Sequence, residues 1–296
     1  MRYFKARSGQ IALETACILS DLLDDIEQAL GTDRELSDDN IHTIRKRCKR
    51  LRALLRLVQT ALDRTEFRKA DRAIRNYAAL LAHTRDSTVL VATVDRLAEH
   101  FGALLTADAL APIRETLSDN STRQGNPIPA SSELIKGLNR IRRNLSGLDY
   151  SGITVDTLLQ GLLISYRRGR KALALLEETP DDDPSHELRR YTKYLYNQLL
   201  MLREWNPEGL AATVGHYHTT EDTLGLVHDL SLLIETVRTN RALDNAALHR
   251  ELLLSLAESR WLSLLSDGMR MARKLYRRKP GKQQAWLAQQ LGLAAD

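Results

Sequence analysis

The stretch from Ile41 to Leu62, I-H-T-I-R-K-R-C-K-R-L-R-A-L-L-R-L-V-Q-T-A-L, sets the terms on which this chain can fold. It holds seven Lys or Arg and no Asp or Glu, yet its apolar residues keep helical spacing. Ile41, Ile44, Cys48, Leu51, Leu55, Val58 and Leu62 advance by alternating steps of three and four, the seam that a helix turns toward a core. His42, Arg45, Lys49, Arg52 and Arg56 take the same steps one residue later. At about 100° per residue this basic stripe flanks the seam, so burying the seam places the cations along the edge of a packing face. His42 to Arg56 covers about 21 Å at 1.5 Å per residue, the reach of an extended anion rather than of one phosphate. Like charges at i,i+4, such as Lys46 and Arg50, disfavour an isolated helix. A polyanion, or acids from another helix, should supply the missing charge.

The rest of the 296 residues points the same way. Leu and Ala abound, while 15 Gly, 7 Pro and 5% aromatic residues leave little material for strands and tight turns, so the expectation is an all-α fold. The net charge of +5 is small and informative only through its clustering. Cys17 and Cys48 give neither a disulfide framework nor a metal-site spacing. The first ten residues lack the apolar run of a signal peptide and no 18-residue uncharged apolar run occurs, so we expect a soluble, cytoplasmic protein with no membrane contact.

Taken in order, the pattern predicts helices at Ile11 to Leu30, stopped by Gly31, and then the basic helix to Leu62, started by the side chains of Asp38, Asp39 and Asn40. Others follow at Phe67 to His83, Ser87 to Phe101 and Ala107 to Leu117. The strongest loop signal follows, D-N-S-T-R-Q-G-N-P-I-P-A-S. Beyond it come Ser132 to Leu145, Val155 to Glu178, His186 to about Glu204, Leu210 to His218, Thr223 to Arg238, Asn245 to Lys279 and Gln283 to Leu291. Y-R-R-G-R-K at Tyr166 to Lys171, which includes Arg167, is a second basic focus.

A shift of 144 residues carries His42, Arg45 and Lys49 onto His186, Arg189 and Lys193, and Ile44, Leu51, Leu55 and Val58 onto Leu188, Leu195, Leu199 and Leu202. Arg85-Asp86 is likewise echoed by His228-Asp229. The chain therefore reads as a tandem duplication: a first helical repeat at 11–118, a connecting loop at 119–131 and a second repeat at 132–296, the whole forming one domain.

H-T-I-R-K-R-C-K-R-L-R-A-L-L-R at His42 to Arg56, H-E-L-R-R-Y-T-K-Y-L-Y at His186 to Tyr196, and R-D and L-G-L-V-H-D downstream carry a family resemblance. The chain resembles a stand-alone member of the CHAD family, the conserved histidine α-helical domain. The resemblance implies two helical bundles related by a pseudo-two-fold axis around a basic central channel, and non-catalytic binding of inorganic polyphosphate. It implies contacts from His42, Arg45, Lys49, Arg50, Arg52 and Arg56 in the first copy, and His186, Arg189, Arg190 and Lys193 in the second, with Arg167 from the second basic focus. Where the first copy has Arg50, Arg52 and Arg56 the second has Tyr194, Tyr196 and Leu200, so the first should carry most of the contacts. Some relatives are fused to a triphosphate tunnel enzyme; with ten residues before the first helix, we expect none on this chain.

Other chemistries find less support. His216 and His218 point apart at i,i+2 and no carboxylate or cysteine set completes a metal site, so no metal or other cofactor is expected. Asp86 and Asp229 read as ion-pair or cap residues, and there is no nucleophile with its base and no glycine-rich phosphate loop. Nucleic acid offers the same charges and stays a rival ligand, although the basic helix has no aromatic for base stacking, and Tyr191, Tyr194 and Tyr196 read as packing residues. A scaffold that brings a polyphosphate-metabolising protein to polyphosphate granules is the further alternative.

Overall fold

The computed structural model describes residues 3–5, 10–31, 36–81, 86–103, 105, 109–123, 130–240, 243 and 247–293, with 86–87 and 119–123 described by backbone only. Among them are eleven α-helices and no strand: α1 (Ile11–Leu30), α2 (Asp38–Leu57), α3 (Arg64–Leu80), α4 (Asp86–His100), α5 (Ala111–Arg123), α6 (Ser131–Ser146), α7 (Val155–Glu178), α8 (Asp182–Leu202), α9 (Pro207–Thr239), α10 (Ala247–Leu275) and α11 (Pro280–Gln290). No described helix is long and apolar enough to cross a membrane.

The basic helix forms where its seam predicts, but its ends differ from the sequence reading. Ser37 is the N-cap, accepting a hydrogen bond from the Asn40 N–H, while Asp38 and Asp39 sit in the first turn, where carboxylates favour the helix dipole. The helix stops at Leu57 rather than Leu62. Val58 and Leu62 remain buried on the turn that follows, and Asp63 caps α3 through the Thr65 and Glu66 N–H groups. Every other seam residue of α2 is buried as well.

Three further differences have local causes. α8 begins at Asp182, four residues before His186, because Asp181 caps it and Pro184 falls in the first turn, where its missing N–H costs nothing. The two helices expected between Leu210 and Arg238 are the single α9, since Thr219, Thr220 and Thr223 donate their hydroxyls to carbonyls four residues back and follow the helix instead of breaking it. α5 runs to Arg123, inside the stretch read as loop, and Pro280 opens α11 at its first position rather than only ending α10. His83, Arg85, Ala107 and residues 124–129 lie outside the described residues.

Packing gathers the helices into two groups that do not follow the division at 119–131. α1, α2, α3 and α6 form one, with α6 held by Arg142, which pairs with Asp24 at 3.2 Å and Glu27 at 2.7 Å on α1. α7 to α10 form the other, with α11 against α7. α4 and α5 pack on each other and reach across to α10, and α4 also to α9. The groups meet where α2 lies against α7 and α8. There the Gln198 amide of α8 donates to the Ala53 carbonyl of α2 at 3.2 Å. The 144-residue shift also carries Asp38, the first residue of α2, onto Asp182, the first of α8, and all four seam pairs it relates are buried.

At the α2–α7 crossing the backbones touch so closely that a Cβ on Gly161 would come within 1.9 Å of the Leu57 carbonyl oxygen. Only glycine fits without parting the helices. Gly161→Ala should therefore lower the unfolding free energy by about 1–3 kcal/mol despite its better helix propensity, because the backbone atoms cannot move aside locally. Gly215→Ala in α9, where a Cβ meets nothing within 4 Å, should be neutral or stabilise by up to about 1 kcal/mol. Urea denaturation of the two variants checks the contrast.

Candidate anion-binding site

Burial of the α2 seam leaves its basic stripe along the edge of the contact with α8. The C-terminal half of that stripe already has a counter-ion. Asp71 of α3 accepts from Arg52 through a fork of 2.9 and 3.4 Å and from Arg56 at 2.8 Å. Both guanidinium groups also lie over the ring of Tyr194, at 5.8 and 4.9 Å. Tyr194 is the residue that the 144-residue shift aligns with Arg50. α8 thus contributes an aromatic seat for cations of α2, and burial of that ring at 6% exposure withdraws it from stacking on a base. The expectation that acids of other helices offset the charge of α2 holds here, and again off the stripe at Arg47, which pairs with Asp25 of α1 at 2.7 Å.

The N-terminal half meets the stripe of α8. Lys193 contacts the carboxylate of Glu221 on α9, and Arg189 lies 3.7 Å from the same oxygen. Glu221 is only 5% exposed. Lys49 sits beside this cluster. Lys49 is exposed as a residue, yet enough protein surrounds its ammonium that burial first, then Lys193, Arg189 and Arg45, push its pKa down to about 7, with Glu221 opposing. Burial and Arg189 also lower Lys193, against the pull of Glu221. Lys193 and Arg189 therefore share one buried acid, with Lys49 and Arg45 crowded beside them and Asp222 a second acid near Lys193 and Arg189. Arg45 additionally donates to the Leu81 carbonyl at 2.7 Å, which ties the stripe to the end of α3. The Nε groups of Arg56 and Arg189 are buried without a hydrogen-bond partner among the described residues.

The histidines divide. His186 stacks near His228 of α9, ring centroids 4.9 Å apart, and burial followed by Arg189 holds both below the usual histidine pKa. The glycine of L-G-L-V-H-D has a local reason: a Cβ on Gly225 would stand 3.3 Å from the Arg189 guanidinium, so glycine lets that arginine lie against α9. Asp229 pairs with Arg96 of α4 at 3.5 Å, the ion-pair role expected of it, whereas the Asp86 side chain lies outside the described residues. His42 is exposed near the start of α2.

Three candidates are not brought to the cluster. Arg50 is buried at 8% exposure, with Arg47, Tyr196, Tyr3 and Asp25 as its near charges. Arg190 pairs with Glu187 and lies over Tyr191. Arg167 is exposed on α7 and makes no ion pair with a described residue. Asp71, Glu221 and Tyr194 are the site residues that sequence reading missed; the two acids come from helices with no linear link to the stripe. Glu221 also corrects the reading that no carboxylate joins a histidine. His218, Glu221 and Asp222, at i, i+3 and i+4 on α9, bring ligand atoms within 4.8 Å of one another. Lys193 and Arg189 on Glu221 oppose a metal ion there.

A profile of the CHAD domain matches residues 17–238. The chain belongs to the CHAD family. The match spans α2, α8, Asp71 and Glu221, and leaves α10 and α11 beyond its end. A search of the curated proteins finds no match. Among solved structures, the chain is similar to the crystal structure of the CHAD domain from the plant Ricinus communis, with a TM-score of 0.65 at 17% identity, over 91% of this chain and 93% of the other. At that identity the likeness speaks to the CHAD fold, which the helical architecture shares.

The charge crowding gives a stability test. The folded-state pKa of Lys49, about 7, lies below its ordinary value of 10.5, so between these the unfolded chain binds more protons. Stability contributed by Lys49 therefore rises as pH climbs from about 7 toward 10.5. In Lys49→Met that rise should be absent. Denaturation midpoints of both proteins at pH 7, 8 and 9 measure it, and parallel curves would contradict the crowding.

Proposed function

We propose that this CHAD protein binds inorganic polyphosphate along the edge where the basic stripes of α2 and α8 converge, and does so as a binding protein rather than an enzyme. The observation that carries the reading is the crowding of Lys49 by Lys193, Arg189 and Arg45 beside the buried acid Glu221. Such a cluster is held together at electrostatic cost, and a chain of phosphates is the ligand that relieves it over the length of the stripe. Arg supplies forked donors to phosphate oxygens and Lys a compact charge, while condensed counter-ions are released. The acids of the site are engaged in ion pairs rather than placed to move a proton. A basic channel lined by both copies, residence at polyphosphate granules and recruitment of a polyphosphate-metabolising protein all follow from this reading. Nucleic acid is the rival occupant, and the burial of Tyr194 beneath two arginines weighs against it.

Titration calorimetry with polyphosphate tests the assignment. Arg45→Ser with Lys49→Ser should weaken binding by at least about tenfold, and Arg189→Ser with Lys193→Ser by a comparable factor, with helicity intact. Unchanged affinity in either pair would remove that helix from the site. Matched-charge RNA that displaces polyphosphate at equal concentration would assign the groove to nucleic acid. Bound phosphates favour the protonated form of Lys49, so binding takes up a proton and affinity falls as pH rises through about 7.

A further inference from the structure

α9, α10 and α11 enclose a cleft of about 560 Å³ that shares no residue with the α2–α8 stripes. That volume lies within the usual range for a small-molecule site. One wall is cationic: Lys274 at the end of α10, and Arg277 and Arg278 on the link to α11, with no Asp or Glu among the lining residues. The other is organic in character, with Tyr217, Met271, Leu275 and Trp286.

The link is held in place rather than hanging free. The Arg278 carbonyl accepts from the Tyr166 hydroxyl at 2.9 Å and from Arg170 at 2.5 Å, both on α7. The Arg278 guanidinium lies over the Trp286 ring, 4.4 Å from its centroid. Pro280 starts α11 immediately after, which fixes Gln283 one turn into that helix.

Gln283 is the decisive residue. It is only 2% exposed, it lines the cleft, and its Oε1 has no hydrogen-bond partner among the described residues. A buried carbonyl oxygen left unpaired costs about 1–3 kcal/mol, so a donor from the ligand would be strongly favoured. A polyphosphate chain at neutral pH presents acceptors only. A glutamine amide instead matches an edge that offers a donor beside an acceptor, as adenine does at N6 and N7, whichever way the amide is turned.

We propose that this cleft is a second, independent binding site, for a nucleoside phosphate: Gln283 meets the base edge, the apolar wall covers the base, and Lys274 and Arg277 hold the phosphates. The site lies largely on the segment beyond residue 238, outside the matched CHAD profile.

ADP is the probe, titrated calorimetrically into the full chain, and compared with pyrophosphate in the Arg189→Ser, Lys193→Ser variant, which removes pyrophosphate binding at the α2–α8 groove. Saturable one-to-one ADP binding is expected, tighter than pyrophosphate by at least about tenfold because the base contributes apolar burial and the amide pair. Gln283→Met should weaken ADP by about fivefold or more and leave pyrophosphate unchanged. The exposed pair Lys274→Ser with Arg277→Ser should weaken both ligands, whether or not the Met variant folds. Arg189→Ser with Lys193→Ser should leave ADP binding unaltered, which separates this site from the polyphosphate groove. Absence of saturable ADP binding, equal affinity for ADP and pyrophosphate, or loss of ADP binding in the α8 pair would each overturn the proposal.

Discussion

Burial of the seam of α2, a helix that packs on α1, α3, α7 and α8, is the constraint on which the rest of the structure depends. Seam and stripe are one residue out of step, so the seam cannot be buried without carrying the cations to the edge of the same interface. Two such helices, each with the same phase, bring their cations together. The apolar contacts along Ile44, Leu51, Leu55 and Val58 and their counterparts on α8 are complete, and the cost of assembling like charges is borne by those contacts.

The molecule distributes that cost unevenly. Arg52 and Arg56 are given Asp71 and the ring of Tyr194, a conventional solution in which an acid and an aromatic face replace water around two guanidinium groups. Among the described residues the acid that acts on Lys49 is Glu221, which Lys193 and Arg189 already engage, so burial first and the neighbouring cations second lower its proton affinity. Arg50, buried among tyrosines and near Asp25, shows a third outcome: a basic residue of the same helix whose surroundings serve packing instead.

Much of this was legible in the sequence because helical phase is a local property. The seam, the stripe and the extents of α1 and α7 follow from residues that are neighbours in the chain, and the family resemblance rests on the same strings. What was not legible came from elsewhere in the fold. Asp71 and Glu221 lie on helices whose sequences give no sign of facing α2 or α8. Tyr194 looked like a departure from the basic pattern and proves to be the surface on which two arginines of the other copy rest. The fused α9 was missed because threonine reads as a breaker until its hydroxyl is seen returning to its own helix. The grouping of α6 with α1 and α3 depends on the Arg142 pairs and on tertiary packing, neither visible in a linear repeat.

On the proposed reading, the difference between paired and crowded cations sets the order in which an anion is engaged. A phosphate that approaches Arg52 or Arg56 must compete with a carboxylate already bound by both, so only the difference between two good partners is gained. A phosphate that approaches Lys49, Arg189 and Lys193 relieves repulsion that the folded protein otherwise retains. The expectation that the first copy carries most of the contacts therefore shifts: binding begins at the α2–α8 junction with both copies contributing. It extends toward Arg56 only for an anion long enough to draw the two arginines away from Asp71.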